Sequence, residues 1–475
     1  MENQLSILFQ NTYKEKPADI IPLPLSGSSR RYFRMIAKNG NHVIGVYNED
    51  VKENRVFLSF TKHFISCGLQ VPGILAEDES EKAYLLQDLG DTTLFSFLSQ
   101  QRELSGFSAD IISWYKKAID QLLLFQIVAG KEIDYSVCYP RGKFDKQSML
   151  WDLNYFKYYF LKLAGISFDE QKLENDFEAF SNLLLEAGCE HFMYRDFQSR
   201  NIMIHEGNVW FVDYQGGRKG ALQYDLASLL YDAKADIPDD TRKELLDYYV
   251  SQLSGYFTIY SDLFKKQFYT FVYIRILQAL GAYGFRGFYE RKEHFLVSIP
   301  YALKNLEWLL EHAPLPVALP ELQKALHGMI RSKQLHALAK QEKPLLVRIN
   351  SFSYKRDIPV DEKGNGGGFV FDCRALPNPG RFEEYKKFTG ADDSVIQFLE
   401  NAAEVDEYMN HVCSIVRRSA ENYVKRSFED LMVSFGCTGG QHRSVYCANR
   451  LAQYLSDFTG VEVVVRHREQ EFKNI

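Results

Sequence analysis

The spacing of apolar residues changes period several times along this chain of 475 residues, and each change predicts an element. RRYFRMI and HVIGVYN, near the start, read as strands, and a helix is expected from Glu53 to Cys67. Strands through VPGILAED and KAYLLQDL follow. From Thr92 to about Glu190 apolar residues recur three and four apart, as in SADIISWYKKAIDQLLLFQIV, which predicts helices. NIMIHE and NVWFVDY are short apolar runs on either side of Gly207-Asn208 and predict a hairpin. Helical spacing returns over residues 221–310.

The segment HAPLPVALPELQ, residues 312–323, carries Pro314, Pro316 and Pro320. Each proline restricts itself and its predecessor, so a domain boundary is expected here. A first domain over residues 1–312, a Pro-rich and helical linker over 313–344 and a second domain over 345–475 follow from this reading. In the second domain LLVRINSF, GGFVFDCRAL, LMVSFGC and VEVVVRHR read as strands separated in part by helices. That alternation predicts a compact α/β domain with a partly parallel sheet.

Composition bounds the function. A chain this long exceeds the size of a single growing core, which agrees with two domains. No unbroken apolar run of about 20 residues is present, and MENQLSILFQNTYKEK lacks a signal-peptide pattern, so a cytoplasmic protein without membrane attachment is expected. Seven scattered cysteines without paired metal spacing read as free thiols. The net charge of −6 disfavours a nucleic-acid protein.

Two constellations carry chemistry. In HFMYRDFQSRNIMIHEGNVWFVDYQG, Asp196 lies in a polar turn, Asn201 opens one strand and Asp213 ends the next. Phosphoryl transfer needs a base for the attacking hydroxyl and hard oxygen ligands for Mg²⁺, and these residues supply both types. Arg195 and Asp225 read as scaffolding. The alternative is that all are ordinary loop-capping groups. Asp152, in a helical segment, is a candidate partner for an acceptor hydroxyl or a helix cap, and the neighbouring aromatic stripe Trp151, Tyr155, Tyr158 and Tyr159 reads as packing or as a sugar-stacking surface.

HFMYRDFQSRN, FVDYQ and ALQYDLASLLYD resemble the aminoglycoside phosphotransferase and choline kinase superfamily. With GSSRRYFRM and RILQALGAYGFRGFYERKEHFLVSIP they are most similar to the branch of N-acetylmuramate/N-acetylglucosamine anomeric kinases. The resemblance implies an α+β, protein-kinase-like phosphotransferase fold that uses ATP and Mg²⁺ on a small hydroxylated substrate, such as a sugar or amino sugar. It implies Asp196 as base, Asn201 and Asp213 as magnesium ligands, and Gly27, Ser28, Ser29, Arg30 and Arg31 as a phosphate-covering hairpin. Two positions depart from the pattern. HVIGVYNED lacks the lysine expected on that strand, leaving Arg30 or Arg31 to supply charge with Glu53 as a candidate acidic partner. Tyr194 stands where a histidine is usual.

In FGCTGGQHRS a strand runs into glycines and then a helix. Gly439 and Gly440 let backbone N–H groups converge on an anion, and Arg443 can clamp it. The spacing Cys437-x5-Arg443 followed by Ser444 also fits thiol phosphatase chemistry, with His442 as the nearest acid, and a plain glycine turn is the third reading. The wider pattern NSFSYKRDIP, FVFDCRALPNPGRFEEYKKFTGADDSVIQFL, FGCTGGQHRSVYCANRLA and VVVRHRE resembles the C-terminal domain of the RapZ RNase adapter family. That resemblance implies binding of a phosphosugar such as glucosamine-6-phosphate by Cys437, Thr438, Gly439, Gly440, Gln441, His442, Arg443 and Ser444 with Arg374, Arg466 and His467. It also hints at homo-oligomers, and at RNA binding in some members. With 17 Lys and Arg against 19 Asp and Glu, residues 345–475 are not basic, which argues against RNA. A kinase fused to a phosphosugar-sensing domain is therefore expected, and a non-catalytic regulatory adapter is the alternative.

Overall fold

A computed structural model describes residues 1–23, 30–338, 344–361, 367–426, 428–456, 458 and 460–471. The chain divides into two compact units, Met1–Ala339 and Lys340–Ile475.

The first unit opens with α1 (Glu2–Tyr13), β1 (Asp19–Pro22), β2 (Arg31–Ile36), β3 (His42–Tyr47), α2 (Val51–Ser66), β4 (Ile74–Glu77) and β5 (Ala83–Gln87). The strands form an antiparallel sheet in the order β1-β2-β3-β5-β4. Alternation sends Phe33, Met35, Val43 and Leu85 to one face, where Leu5, Leu8 and Phe9 of α1 cover them. Gly45 permits that approach, because a Cβ there would stand 2.8 Å from the Met35 sulfur and 3.2 Å from Leu5. The other face packs on α2 through Val46, Tyr84, Phe57 and Phe60. The Asp50 carboxylate starts α2 by accepting the amides of Lys52 and Glu53, each at 3.1 Å.

A helical body follows, with α3 (Leu94–Ser105), α4 (Ala109–Leu123), α5 (Lys146–Phe156) and α6 (Glu170–Leu185). Short strands β6 (His191–Met193), β7 (Ile202–His205), β8 (Asn208–Phe211) and β9 (Arg218–Gly220) come next. β7 and β8 pair as a hairpin whose loop is Glu206-Gly207, one residue earlier than the sequence suggests. Both loop residues have positive φ, as a two-residue turn matched to strand twist requires. β6 pairs with β9. Helices α7 (Leu222–Leu230), α8 (Asp239–Leu253), α9 (Ser261–Tyr283), α10 (Ile299–His312), α11 (Pro320–Ile330) and α12 (Lys333–Ala337) complete the unit.

The stretch expected as a linker is largely part of this body. Pro320 sits in the first turn of α11, where its missing N–H costs nothing. The Asp176 carboxylate accepts the next two amides, Glu321 and Leu322, at 2.8 Å each. Leu322, Ala325, Leu326 and Met329 then join the main core, so the first unit extends well beyond residue 312.

The second unit contains β10 (Leu345–Ser353), β11 (Phe369–Asp372), α13 (Asp393–Glu400), α14 (Ala403–Lys425), β12 (Asp430–Cys437), α15 (Arg443–Leu455), β13 (Val461–His467) and α16 (Arg468–Glu471). Its sheet has the order β11-β12-β10-β13, and all three pairings are parallel rather than partly so. The central strand β10 buries Leu345, Val347 and Ile349 in a core shared with Val416 of α14 and Leu451 of α15. Parallel strands bring their C-terminal ends to one edge, here Ser353, Asp372, Cys437 and His467. The fold is therefore an α+β, kinase-like body followed by a separate compact α/β domain. Among the described residues no helix is long and apolar enough to cross a membrane.

Candidate active site

The turn after β6 carries Asp196, and the end of β8 leads into Asp213. A buried carboxylate on α7 fixes this turn. Asp225 accepts the amides of Tyr194 at 2.7 Å and Arg195 at 2.9 Å, and the Gln126 side chain donates to it at 3.3 Å. Burial pushes the Asp225 carboxyl up to about 7, against the pull of those donors. Tyr194, in place of the usual histidine, is fully buried and donates its hydroxyl to the Val212 carbonyl at 2.6 Å. That bond ties the Asp196 turn to the residue before Asp213. Phe57 of α2 stacks on Tyr214 and Phe64 meets it edge-on, and Phe125 packs edge-on to Tyr194, so one aromatic cluster holds α2 and both carboxylate segments together.

Asp196 is half-buried. Burial and the charge of Asp213 raise its carboxyl above the usual range, while Arg195, Arg275 and Arg218 oppose the shift. The Asn201 amide nitrogen donates to the Asp196 carbonyl at 2.9 Å and lies 3.4 Å from Asp213 Oδ2. This leaves the Asn201 amide oxygen and the Asp213 carboxylate as neighbouring hard donors. The pair is the hard-oxygen type that would suit Mg²⁺, with Gln215 also donating to Asp213 Oδ1 at 2.7 Å. Arg195 and Asp213 both hold left-handed backbone, with φ of 82° and 69°. Non-glycine residues adopt that region at a cost and do so most often at functional sites.

A cavity of about 280 Å³ adjoins this pair. Tyr32, Ile44, Phe57, Tyr84, Leu86 and Met203 line it, Gln87 to Gly90 border it, and Asn201 and Asp213 stand among its polar walls. Arg34 of β2 braces the border by gripping Asp88 at 2.6 and 3.0 Å and Asp91 at 2.9 and 3.0 Å.

The missing lysine has a geometric answer. Arg30 is 2% exposed, with its guanidinium 3.0 Å from Glu53 and 4.0 Å from Asp213. Asn48 holds the other Glu53 oxygen at 2.8 Å. A buried cation thus bridges α2 to the Asp213 segment from the position preceding β2. Arg31 is exposed on β2, which separates the two arginines that the sequence left equivalent. Gly27, Ser28 and Ser29 lie outside the described residues.

Asp152 does not face an open acceptor site. Both of its oxygens are taken by the Arg195 guanidinium, at 2.7 and 2.8 Å, which makes it an anchor for the Asp196 turn. Tyr155 and Tyr159 pack with Phe285 and Tyr289, so that part of the aromatic stripe is packed while Trp151 and Tyr158 remain exposed. Arg275 opens the motif RILQALGAYGFRG, but neither it nor Arg218 has a role legible in the sequence. Arg275 is buried on α9 and bonds Ser228 and Gln278. Arg218 follows two loop glycines, and nothing in its spacing marks it.

In the second unit the loop after β12 lies at the sheet edge where all strands end. Gly440 has a φ of 65°, and a Cβ on Gly439 would meet nothing within 4 Å, so the loop is open on that side. The side chains expected around a ligand are largely engaged elsewhere. Arg443 is 4% exposed and donates to the carbonyls of Arg374 at 2.8 Å and Leu376 at 3.0 Å, with Thr438 Oγ1 3.5 Å away. Gln441 donates to the carbonyls of Lys386 and Phe388, and the His442 ring bonds the Tyr385 carbonyl. His467 is held between Ser351 and Asn449, and burial lowers its pKa. Arg466 points from the opposite face of β13, because neighbours on a strand alternate. Cys437 is 3% exposed with its sulfur 3.1 Å from the Ser444 hydroxyl. Arg374 is half exposed, paired with Asp372 and stacked over Tyr354 at 4.1 Å. Among the described residues the Thr438-Gly439-Gly440 backbone and the start of α15 remain as candidate anion contacts, and Arg374 would have to share its guanidinium with Asp372.

Comparison with known proteins agrees with this division. Residues 345–471 match the RapZ C-terminal domain. Curated relatives include nucleotide-binding proteins from Saccharophagus degradans, 35% identical over 149 residues, and from a Thermotoga species, 37% identical over 142 residues. These stretches are 31% and 30% of this chain, and 49% and 48% of the relatives. The chain thus spans about half the length of the curated relatives it matches. Similar solved structures include choline kinase from Cryptosporidium parvum, 12% identical over 69% of this chain and 99% of that one, with a TM-score of 0.47. A choline/ethanolamine kinase family protein from Mesorhizobium loti is 12% identical over 66% and 92%, with a TM-score of 0.43. Residues 19–259, just over half of the chain, match the phosphotransferase enzyme family, and the chain belongs to that family.

Proposed function

We propose that the first unit transfers the terminal phosphoryl group of ATP to a hydroxyl of a sugar or amino sugar, the anomeric hydroxyl included, and that the second unit binds a phosphosugar. The observation that carries this reading is that Asn201 and Asp213 line an apolar cavity suited to a nucleotide base, while the Asn201 side chain ties them to the backbone of the Asp196 turn. In this reading Asp196 orients the acceptor hydroxyl and takes its proton. Asn201 and Asp213 hold Mg²⁺, which supplies charge neutralisation at the phosphates when bound. Arg30 supplies the fixed positive charge that the strand lysine gives in related patterns, with Glu53 keeping it in place. Asp225, Tyr194 and the Arg195–Asp152 pair position the base.

For the second unit, the open glycine loop at the helix start supports recognition of a phosphate. Arg443 ties the segment around Arg374 and Leu376 to that loop, so ligand contact and loop shape are linked. The buried, hydroxyl-paired Cys437 favours recognition over thiol chemistry.

ATP consumption across an aldose and amino-sugar panel, with phosphorus NMR of the product, tests the kinase reading. Turnover that requires Mg²⁺ and stops on chelation is the expected result. No turnover with any member would leave the chain an adapter.

A further inference from the structure

Arg34 of β2 lines the cavity beside Asn201 and Asp213, yet the hydrogen-bonding edges of its guanidinium are already occupied. Its Nε and one terminal nitrogen donate to both oxygens of Asp88, at 2.6 and 3.0 Å. The same terminal nitrogen and the other one donate to both oxygens of Asp91, at 2.9 and 3.0 Å. Four of its five N–H groups are thereby engaged, in two forks that share the plane of the group. Asp88 is itself fixed, because its Oδ1 accepts the Gly90 amide at 2.9 Å and its side chain is 8% exposed. Two carboxylates against one guanidinium leave no net positive charge to attract a phosphate. What Arg34 still offers a ligand is the face of its planar group and its methylene stem, and both are surfaces for stacking.

The strand register sets where that plane stands. Arg34 pairs across the sheet with Ile44 of β3, and Ile44 pairs with Leu86 of β5. Neighbouring positions in register share a face, and all three side chains line the cavity. β3 separates β2 from β5, so Arg34 reaches Asp88, just after β5, only by lying across that face. Met203 of β7 and Val212, just after β8, line the same cavity from the helical body. The result is a slot with apolar walls in which one wall carries a guanidinium held flat against the sheet.

We infer that Arg34 is a stacking residue for the donor nucleotide: its guanidinium plane, fixed by Asp88 and Asp91, covers the face of the base and favours purine over pyrimidine nucleotides. This inference rests on the kinase reading and deepens it by naming a residue that selects the base. A purine presents the larger π surface, and a plane already held in place loses no freedom when the base arrives. Asp88 and Asp91 are positioning residues that act on the base through Arg34.

The test is calorimetric binding of ADP, GDP, CDP and UDP to the full chain, each with Mg²⁺. The four share one diphosphate, so phosphate binding elsewhere in the chain cancels in the comparison. Wild type should bind the purine nucleotides about 10-fold or more tighter than the pyrimidine ones. Arg34→Leu should weaken ADP and GDP by about 10-fold and CDP and UDP by less, which narrows the preference. Arg34→Lys keeps the charge and loses the plane, so it should behave as Arg34→Leu does. Asp91 is 80% exposed, and Asp91→Asn, which loosens one fork without disturbing the core, should narrow the preference part of the way. Equal weakening of all four nucleotides in Arg34→Leu overturns the inference, as does a preference kept in Arg34→Lys. Where Arg34→Leu fails to fold, Asp91→Asn decides alone: a narrowed preference upholds the stack and an unchanged one overturns it. A wild type that binds purines and pyrimidines alike removes the inference and leaves the kinase reading standing. A wild type that binds no nucleotide removes both.

Discussion

The Asp196 turn and the Cys437 loop both look like phosphate chemistry in sequence, yet they use their charged side chains in opposite ways. Around Asp196 the fold brings like charges close together, with Asp213 raising the carboxyl of Asp196 and Arg195 lowering the pKa of Arg218, while Arg195 and Arg30 are held by Asp152 and Glu53. Around Cys437 the charged and polar side chains are committed to backbone carbonyls, as Arg443, Gln441 and His442 show. Poised charge is what a reaction needs, because transition-state stabilisation comes from groups oriented in advance. Committed side chains make a rigid loop whose free donors are its backbone amides, and that suits recognition. Likeness of motif therefore says less about chemistry than the partners that each charge already has.

The largest break in the comparison should come from the base. Asp196→Asn is expected to lower kcat by roughly 10³-fold in an ATP-consumption assay, whereas Cys437→Ser leaves the rate unchanged. Equal losses would make the two regions a single site. Arg30→Ala should cost about 100-fold in kcat/KM for ATP, with much of it recovered in Arg30→Lys. An unchanged value would remove Arg30 from the donor site.

Asp225 separates architecture from chemistry. Its carboxyl is raised from the ordinary aspartate range to about 7, so between those values the folded state binds a proton that the unfolded state has released. Stability from this group is thus fully present below about pH 4 and is lost as pH rises to about 7, at up to about 1.4 kcal/mol per pH unit. Urea unfolding across that range should show a slope that Asp225→Asn flattens. An identical slope in the variant would show that Asp225 does not titrate there. The smallest effect is expected at the second loop. Arg443→Met removes two carbonyl contacts and should destabilise the second unit by about 1–2 kcal/mol in thermal unfolding, with ATP turnover unchanged. Lost turnover would show that the two sites are coupled.

Much of this was readable from sequence where the signal is local. Asp196, Asn201 and Asp213 bracket a hairpin, so their spacing reports their convergence. The four parallel strands were visible as apolar runs between helices. Other features depend on distant partners. Arg30 and Arg31 are adjacent and chemically identical, and only the burial of one against Glu53 distinguishes them. Asp152 reads as a free helix residue until Arg195, 43 positions away, takes both its oxygens. Arg218 sits in a polar loop whose burial depends on the pairing of β6 and β9, and three-residue strands leave no periodicity to detect. Pro320 marks a domain boundary in the sequence pattern, although its place in a first turn makes it a helix initiator.

The left-handed backbone at Arg195 and Asp213 sets a limit on how stable this molecule can become. Both positions adopt torsions that glycine enters freely and that a side chain resists. Selection for stability alone would favour glycine, and it would remove the residue that pairs with Asp152 and the one proposed to hold Mg²⁺. Variants chosen only for heat resistance should therefore drift toward inactive proteins at these two positions first.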